Sequence, residues 1–327
     1  MNTPVRGIHK NLQEIKIPAS PFMKNLGYGT GVSVFRLERS PKGNQAQSPW
    51  AIKRVSHKSR AQGGIVFDER LKEEAEILRQ LSHPNIVGFR GVTKANDGVN
   101  SLALECCSTS LGNILEERFE ENAGSLPVKD ALKMITDIAN ALNYLHTEAR
   151  LLHGDIKSYN ILVKGDFEIC KLCDFGVTIP LDENGVVNFA KNPKHQYVGT
   201  DIWSAPEVLN DEDIIDCKAD IFSFGLVIYE TIALVPPHCA GIDGDENIEP
   251  NTSQDLSNES ANASTAIVNM YGTRPPLPQA FELSGEYNFI VELFYFCTNE
   301  LAEDRPDAKT IVEIMKNIKP NKDVKVN

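Results

Sequence analysis

The chain has 327 residues, of which 41% are hydrophobic, and its formal net charge at pH 7 is −12. That length suits one large domain or two lobes, and the hydrophobic fraction is enough for a sizeable core, which excludes disorder for most of the chain. An acidic chain has no general electrostatic attraction to nucleic acid or to anionic membranes. The first 20 residues are polar, and the longest apolar stretch, residues 221–235, is too short to span a bilayer. We therefore expect a cytoplasmic or nuclear protein, with a flexible N-terminal tail at residues 1–20, that binds neither nucleic acid nor membrane.

The first patterned segment is glycine-rich and reads Leu26-Gly27-Tyr28-Gly29-Thr30-Gly31-Val32-Ser33-Val34. Dinucleotide sites and P-loops use similar glycines, but they continue into a helix. Here Val32, Val34 and Leu37 alternate with polar residues, which is typical of a strand. The segment therefore predicts a strand–glycine turn–strand hairpin, whose bare backbone N–H groups can approach phosphate groups closely.

The next strand ends in Trp50-Ala51-Ile52-Lys53, after a predicted loop rich in Pro, Gly and Gln at residues 40–49. A lysine on an apolar strand is most often a solvated edge residue, unless a carboxylate pairs with it. The following helix, residues 69–81, has an apolar stripe and carries Glu74. Glu74 is either the partner of Lys53 or part of a solvated acidic face.

Residues 101–107 predict another strand, and residues 126–146 predict a long amphipathic helix. The seven cysteines include one close pair, Cys170-x-x-Cys173. A zinc site would need a second pair of ligands at suitable spacing, and the sequence offers none. Buried thiols are therefore favoured over a metal or redox site.

After the long helix come two carboxylates, a lysine and a carboxamide in the order that metal-assisted phosphoryl transfer requires. Asp155 can take the proton of an attacking hydroxyl group, and Lys157 can neutralise charge on the migrating phosphoryl group. Asn160 and Asp174 offer oxygen ligands to Mg²⁺. The residues between them predict a β-hairpin that presents both metal ligands at one end.

The pattern Asp155-x-Lys157-x-x-Asn160, followed by Asp174-Phe175-Gly176, resembles the eukaryotic protein kinases. The resemblance implies an α+β bilobal fold: a small, mainly antiparallel β N-lobe with one key helix at residues 21–105, and a larger, mainly α C-lobe at residues 108–318. Residues 319–327 would be a C-terminal tail. Residues 239–265, which are acidic and contain no Lys or Arg, predict a flexible insertion in the larger lobe.

The same resemblance implies ATP and Mg²⁺ as cofactors and assigns roles to individual residues. Lys53 would hold the α- and β-phosphates and Glu74 would hold Lys53. Leu104 would be the gatekeeper, with the backbone of Glu105 and Cys106 facing the adenine edge. The remaining nucleotide-binding residues implied are Leu26, Gly27, Gly29, Gly31, Val34, Ala51 and Leu162.

Further positions match structural features of protein kinases. Thr200 would contact the catalytic Asp155, and Asp220 would cap the catalytic-loop backbone. Glu207 would pair with Arg305 in a buried ion pair. The chain departs from the family at Gly154, which stands where many kinases have an arginine that binds a phosphate on the activation segment. Gly31 stands one place before the usual third glycine.

Six segments narrow the resemblance to the MAP kinase kinases and, within that group, to the mitotic PDZ-binding kinases. These segments are residues 17–23, 153–158, 164–168, 181–184, 196–200 and 272–276. That resemblance implies protein substrates with Ser/Thr or dual specificity, including p38-type MAP kinases. It also implies phosphorylation of Thr3, in Thr3-Pro4, by a proline-directed mitotic kinase. The polar C-terminal residue, Asn327, argues against tight PDZ binding, because a PDZ groove usually buries a hydrophobic last side chain.

Two alternatives to an active kinase remain at this point. A pseudokinase scaffold would fit the unusual glycine segment and Gly154, although Lys53, Glu74, Asp155, Asn160 and Asp174 are all present. A nucleotide-binding oxidoreductase is less consistent with the sequence, since no βαβ unit follows the glycines.

Overall fold

The computed structural model describes residues 23–29, 31–42, 45–56, 65–94, 100–187, 189, 196–239, 270–278 and 284–317. The predicted tails at 1–20 and 319–327, and nearly all of the predicted acidic insertion, lie outside these residues. The described residues form two compact units. The first unit comprises those within Met1–Ser82 and Val87–Cys107, and the second comprises those within His83–Ile86 and Ser108–Asn327.

The first unit is an antiparallel sheet of five strands with one helix, and the strand order is β1-β2-β3-β5-β4. Its elements are β1 (Met23–Gly29), β2 (Val32–Lys42), β3 (Gln45–Val55), α1 (Ile65–Gln80), β4 (Phe89–Lys94) and β5 (Asn100–Glu105). Helix α1 buries its apolar stripe, which includes Leu71, Ala75 and Leu78, and packs against β3, β4 and β5. The amphipathic pattern of the sequence therefore predicted this helix and its buried face.

The predicted loop at residues 40–49 is wrong, because β2 and β3 extend through most of it. Arg39 pairs with Gln47 and Lys42 pairs with Gln45, with register shifts between these pairs and the regular part of the ladder. Hydrogen bonding between the two strand backbones outweighs the low strand propensity of Pro, Gly and Gln here. The shifts in register accommodate these residues within the strand pair.

The second unit is mainly helical and contains two small sheets, with strand orders β6-β8-β9 and β10-β7. Its strands are β6 (Thr109–Ser110), β7 (Leu151–Leu152), β8 (Ile161–Lys164), β9 (Ile169–Leu172) and β10 (Ile179–Pro180). Its α-helices are α2 (Leu111–Glu120), α3 (Val128–Tyr144), α4 (Pro206–Leu209), α5 (Lys218–Ala233), α6 (Asn288–Cys297) and α7 (Ala308–Asn317).

Helix α5 is the centre of this unit. Every residue from Ala219 to Ile232 is buried, as expected for a helix that is apolar on all sides. Helix α3 buries one stripe and continues into a single π-helical turn, Leu145–Ala149, which ends at Arg150 in a left-handed conformation with φ of 54°. The chain then enters β7 and the loop that carries Asp155.

The short segment His83–Ile86 belongs to the second unit, although the sequence placed it within the N-lobe range 21–105. Its backbone and side chains are bound to β9. Asn85 donates from Nδ2 to the Cys170 carbonyl oxygen at 3.0 Å and accepts from the Leu172 N–H at 2.8 Å. Lys171 Nζ donates to the Pro84 carbonyl oxygen at 2.7 Å. These contacts join residues that lie far apart in the sequence, so no local sequence pattern predicts them.

None of the helices in the described residues combines the length and the apolar character that a membrane crossing requires.

Candidate active site

In the first unit, Lys53 on β3 forms a buried ion pair with Glu74 on α1. Lys53 Nζ lies 3.1 Å from Glu74 Oε1 and 2.9 Å from Oε2, and the two side chains are only 8% and 2% exposed. The neighbouring acids Glu73 and Glu76 are exposed, so the helix turns Glu74 alone of these three into the unit. Glu74 is therefore a partner of Lys53 and not part of a solvated face. A buried lysine requires such a partner, because an unpaired charge is costly to remove from water.

The predicted glycine hairpin is present as β1 and β2. Gly27 pairs with Val34 and Gly29 pairs with Val32. Gly31 lies in the turn with φ of +79°, a conformation that L side chains rarely adopt, and the ring of Phe67 on α1 occupies the place of a Cβ. The early position of this glycine therefore has a physical cause: it supplies the left-handed residue of the turn and the space for Phe67.

The predicted adenine-binding residues of the first unit lie on neighbouring strands. Ala51 and Leu104 are paired across β3 and β5 and are both buried, whereas Leu26 is 38% exposed. The N–H of Glu105 donates to the Gly88 carbonyl oxygen at 2.7 Å, so this donor is already engaged within the sheet. Cys106 is partly buried, and burial raises the pKa of its thiol.

In the second unit, the loop at residues 153–160 brings three of the predicted catalytic and metal residues together. Lys157 Nζ lies 3.0 Å from Asp155 Oδ2. Asn160 donates from Nδ2 to the backbone carbonyl oxygen of Asp155 at 2.8 Å and to its Oδ2 at 2.9 Å. Thr200 completes the group: its Oγ1 donates to Asp155 Oδ1 at 2.7 Å and accepts from Lys157 Nζ at 2.8 Å.

A buried carboxylate on α5 fixes the start of this loop. Asp220 accepts hydrogen bonds from the backbone N–H groups of His153 at 2.8 Å and Gly154 at 2.9 Å, and its Oδ2 lies 2.9 Å from His146 Nε2. Burial alone would raise the pKa of Asp220, but His146, His153 and the Gly154 N–H together hold it below its ordinary value. Asp220 therefore stays ionised and the loop keeps its shape.

The predicted β-hairpin is formed by β8 and β9, and it places Asn160 and Asp174 at the same end. Ile161 pairs with Leu172, and the Cys173 N–H donates to the Asn160 carbonyl oxygen at 3.0 Å. Asp174 has φ of 63°, a left-handed conformation that is uncommon for a residue other than glycine and typical of functional sites.

His153 connects this hairpin to the catalytic loop. His153 Nε2 donates to the Cys173 carbonyl oxygen at 3.0 Å, and its Nδ1 accepts from the Asp155 N–H at 3.3 Å. The fully buried ring of Phe175 packs edge-on against the imidazole, with 5.0 Å between ring centroids. One side chain thus binds the backbone of Asp155 and contacts both neighbours of Asp174, Cys173 and Phe175.

The sequence did not predict a second buried carboxylate, Glu230 on α5. Its oxygens accept from Ser158 Oγ at 2.7 Å and from Trp203 Nε1 at 2.8 Å. Burial raises the pKa of Glu230 to about 7, against the lowering effect of these two hydrogen bonds. The only sequence signal is that Glu230 is the one acid within the apolar stretch 221–235.

The donor set of Asn160 and Asp174 suits a hard divalent cation. Asn160 uses its Nδ2 for Asp155, which leaves Oδ1 as its ligand atom, and Asp174 contributes a carboxylate. Within the described ranges no group of three or more His, Cys, Asp or Glu side chains is placed to hold a metal ion. Two protein ligands are nevertheless sufficient for a cation that also binds water and substrate phosphates. Cys170 is buried and Cys173 is partly buried, and neither forms a disulfide bond.

These arrangements define a class of enzyme. A carboxylate, a lysine and the Thr200 hydroxyl group lie beside a two-ligand cation site in one unit, and a buried lysine–glutamate pair lies in the other. Such parts serve phosphoryl transfer from a nucleotide. The chain belongs to the protein kinase family: the protein kinase domain model matches residues 21–321. It is a protein kinase enzyme that uses ATP with a divalent metal ion and acts on protein substrates.

Individual relatives agree with this assignment. The chain is 44% identical over 302 residues to the human lymphokine-activated killer T-cell-originated protein kinase, a match that covers 92% of this chain and 91% of the relative. It is 30% identical over 223 residues to the probable serine/threonine-protein kinase kinX of Dictyostelium discoideum, covering 68% of this chain and 19% of that protein. It is 35% identical over 194 residues to mitogen-activated protein kinase kinase kinase 3 of Arabidopsis thaliana, covering 57% of this chain and 27% of that protein. The resemblance that the sequence motifs indicated is thereby confirmed.

Proposed function

We propose that this enzyme transfers the γ-phosphoryl group of Mg·ATP to serine and threonine hydroxyl groups of protein substrates, and phosphoamino-acid analysis tests tyrosine as an additional acceptor. The observation that carries the proposal is the contact among Asp155, Lys157 and Thr200. It joins a proton acceptor, a cation and the Thr200 hydroxyl group within 3.0 Å of one another.

In the proposed reaction, the substrate hydroxyl oxygen forms a bond to the γ-phosphorus while the bond between that phosphorus and the bridging β–γ oxygen breaks. Asp155 takes the hydroxyl proton, and ADP is the leaving group. Lys157 neutralises charge that develops on the transferred group, and Thr200 holds the orientation of the Asp155 carboxylate. Lys53, fixed by Glu74, binds the α- and β-phosphates.

We assign Mg²⁺ to Asn160 and Asp174, because carboxylate and carboxamide oxygens are the ligands that this ion prefers. When bound, the ion neutralises charge on the phosphate oxygens. The left-handed backbone of Asp174 and the hydrogen bond between Cys173 and Asn160 set the positions from which these two side chains would hold the ion.

The pseudokinase alternative is not favoured by any described residue. Lys53, Glu74, Asp155 and Asn160 all engage the partners that an active enzyme needs, and Asp174 follows the same hairpin. The unusual glycine position is explained by the Gly31 turn and does not indicate a degenerate site.

We further propose a MAP kinase kinase-like role in mitotic or proliferation signalling, in the cytoplasm or the nucleus. Support for a place in MAP kinase signalling comes from the 35% identity over 194 residues to mitogen-activated protein kinase kinase kinase 3 of Arabidopsis thaliana. The mitotic role rests on what the resemblance of the sequence motifs implies. Candidate substrates are p38-type MAP kinases, and Thr3 is the candidate site for an upstream proline-directed mitotic kinase. Thr3 and Asn327 both lie outside the described residues.

The test measures transfer of labelled γ-phosphate from Mg·ATP to a generic basic protein and to a p38-type MAP kinase, followed by phosphoamino-acid analysis. Lys53→Met and Asp174→Asn serve as inactive controls. Transfer that both controls lose, with label on serine or threonine, supports the proposal. Absence of transfer by protein prepared from mitotic cells would favour the scaffold alternative, and label on tyrosine alone would contradict the assigned specificity.

A further inference from the structure

The sheet of the first unit has one face that is turned away from helix α1. Lys53 on β3 pairs with Glu74 on α1, so its neighbours along the strand, Ile52 and Arg54, point to the opposite face. Phe35 on β2 is paired with Ile52 and therefore shares that face. The face is thus separate from the buried ion pair of the proposed reaction site.

Two arginines lie over aromatic rings on this face. The guanidinium carbon of Arg39 lies 4.2 Å from the centroid of the Trp50 ring, and that of Arg54 lies 4.3 Å from the centroid of the Phe35 ring. Such a contact restricts the guanidinium group but leaves the N–H donors along its edge available. All four side chains are partly exposed. The face therefore presents cationic hydrogen-bond donors in restricted positions.

The two arginine–ring contacts are close neighbours. Trp50 lies two residues before Ile52, the residue paired with Phe35, so the two rings occupy diagonal positions of the ladder. Diagonal neighbours in an antiparallel sheet lie roughly 7–8 Å apart. Leu37, Ile52 and Ala103 form a buried cluster beside the rings, with Trp50 packed against it. The two cations thus have a set spacing over a packed apolar base.

The charges of both arginines are open to a partner. Within the part of the chain that the structure describes, neither Arg39 nor Arg54 forms an ion pair with a carboxylate. Glu105, which is paired with Trp50 across β3 and β5, is only 13% exposed and lies 3.9 Å from Arg90. The carboxylates that would neutralise the two stacked arginines must therefore come from outside these residues.

We propose that this arginine–aromatic face, formed by Phe35, Arg39, Trp50 and Arg54, docks an acidic, extended segment of a partner protein. Carboxylates at alternate positions of an extended chain lie on one side of it and roughly 7 Å apart, which matches the spacing of the two rings. Each guanidinium group can bind a carboxylate through two N–H groups. A nucleic acid or an anionic membrane fits less well, because the net charge of −12 on the whole chain repels an extended polyanion. The inference goes beyond phosphoryl transfer and names a second binding surface.

The test measures the binding of fluorescein-labelled synthetic peptides to the full chain by fluorescence anisotropy, without ATP. In one peptide glutamates alternate with threonines, and in a second of the same composition the glutamates stand in adjacent pairs. We expect the alternating peptide to bind at least about threefold more tightly, because adjacent residues of an extended chain point to opposite sides. A peptide with glutamine in place of every glutamate should not bind, and added salt should weaken the binding of the alternating peptide.

Variants of the face identify the residues that bind. Arg39→Gln and Arg54→Gln should each weaken binding of the alternating peptide by about threefold to tenfold, the effect of one net hydrogen-bonded contact, and the double variant should lose more than either. Arg39→Lys should also weaken it, because lysine keeps the charge but not the planar fork. Arg36→Gln is the matched control: Arg36 is paired with Ala51 on the other face and lies 2.6 Å from Glu38, so binding should change by less than about twofold. Circular dichroism checks that each variant is folded.

Three results would overturn the proposal. One is an equal loss of binding in Arg36→Gln and in the variants of the stacked arginines. Another is equal binding of the alternating and the paired peptide. The third is binding to phosphatidylserine vesicles that the double variant loses, with no binding of either peptide, which would assign the face to a membrane surface. Because peptide binding is measured without ATP, a chain that transfers no phosphate would contradict the proposed function and leave this inference to be decided by the peptides.

Discussion

Thr200 Oγ1 donates a hydrogen bond of 2.7 Å to Asp155 Oδ1, and the same oxygen accepts one of 2.8 Å from Lys157 Nζ. Thr200 lies 45 residues after Asp155, so its hydroxyl joins a distant part of the chain directly to the proton acceptor. Hydrogen bonds to charged groups are stronger than neutral ones, and this hydroxyl makes two of them.

Thr200→Val keeps the shape of the side chain and removes both hydrogen bonds. We expect kcat to fall by about tenfold to a hundredfold, in line with the loss of a hydrogen bond to a charged group. Thr200→Ser keeps the hydroxyl and should retain activity within about threefold. Steady-state kinetics on one peptide substrate measures both variants, and equal rates for the valine and serine variants would show that the hydroxyl is not used.

The Lys53–Glu74 pair and the Arg36–Glu38 pair of the same unit differ mainly in burial. The side chains of Arg36 and Glu38 are 37% and 54% exposed, whereas those of Lys53 and Glu74 are 8% and 2% exposed. Glu74→Gln should therefore lower kcat/KM for ATP by at least about tenfold, because it leaves a buried lysine without its counter-charge. Glu38→Gln is the matched control and should change it by less than about twofold, since exposed pairs contribute little. A Glu74→Gln enzyme as active as the Glu38→Gln enzyme would show that Glu74 has no role in the active site.

A second buried ion pair stabilises the helical unit. Arg305, whose side chain is 0% exposed, donates to both Glu207 oxygens at 2.6 and 2.8 Å and to the carbonyl oxygens of Asn299, Lys218 and Glu300. Arg305→Met should lower the free energy of unfolding by about 3–5 kcal/mol, because it leaves Glu207 charged and unpaired. Adding Glu207→Leu should restore part of the loss. Denaturant unfolding measures this, and a loss below about 1 kcal/mol, the range of an exposed pair, would contradict the burial argument.

Glu230 should make the stability depend on pH near neutrality. Its pKa in the folded protein is about 7, above the ordinary 4.5, so the folded state binds this proton more tightly than the unfolded chain does. The stabilising contribution is therefore fully present below pH 4.5 and is lost as the pH rises through 7. A shift of about 2.5 units corresponds to about 3 kcal/mol. We subtract the free energy of unfolding of Glu230→Gln from that of the wild type. This difference should fall by an amount of this order between pH 5 and pH 8, because the wild type loses stability at high pH and the variant does not. A difference that does not change with pH would show that Glu230 is ionised throughout this range.

Much of this site could be predicted because its signals are local or belong to known motifs. Asp155, Lys157 and Asn160 lie within six residues, and the hairpin that brings Asp174 to Asn160 consists of two short, mainly apolar strands joined by a turn. Glu74 could be proposed from the family pattern, but only the structure shows that it is buried while Glu73 and Glu76 are exposed. Residue propensities gave the wrong prediction at residues 40–49, where strand pairing extends through residue types that usually form loops.

The contacts that escaped prediction join residues far apart in the chain. Ser158 and Glu230 are separated by 72 positions, and Asn85 and Cys170 by 85. No periodicity encodes such pairs, because each partner alone looks like an ordinary polar residue.

The most direct test of the account compares wild type with Asp155→Asn in two measurements on the same preparations: the rate of γ-phosphoryl transfer to a peptide and the affinity for Mg·ATP. If Asp155 is the proton acceptor, the rate should fall by about 10²–10⁴-fold while the affinity for nucleotide stays close to that of the wild type. A nucleotide affinity that falls in parallel with the rate, or a rate that survives the substitution, would contradict the role of Asp155 and with it the proposed mechanism.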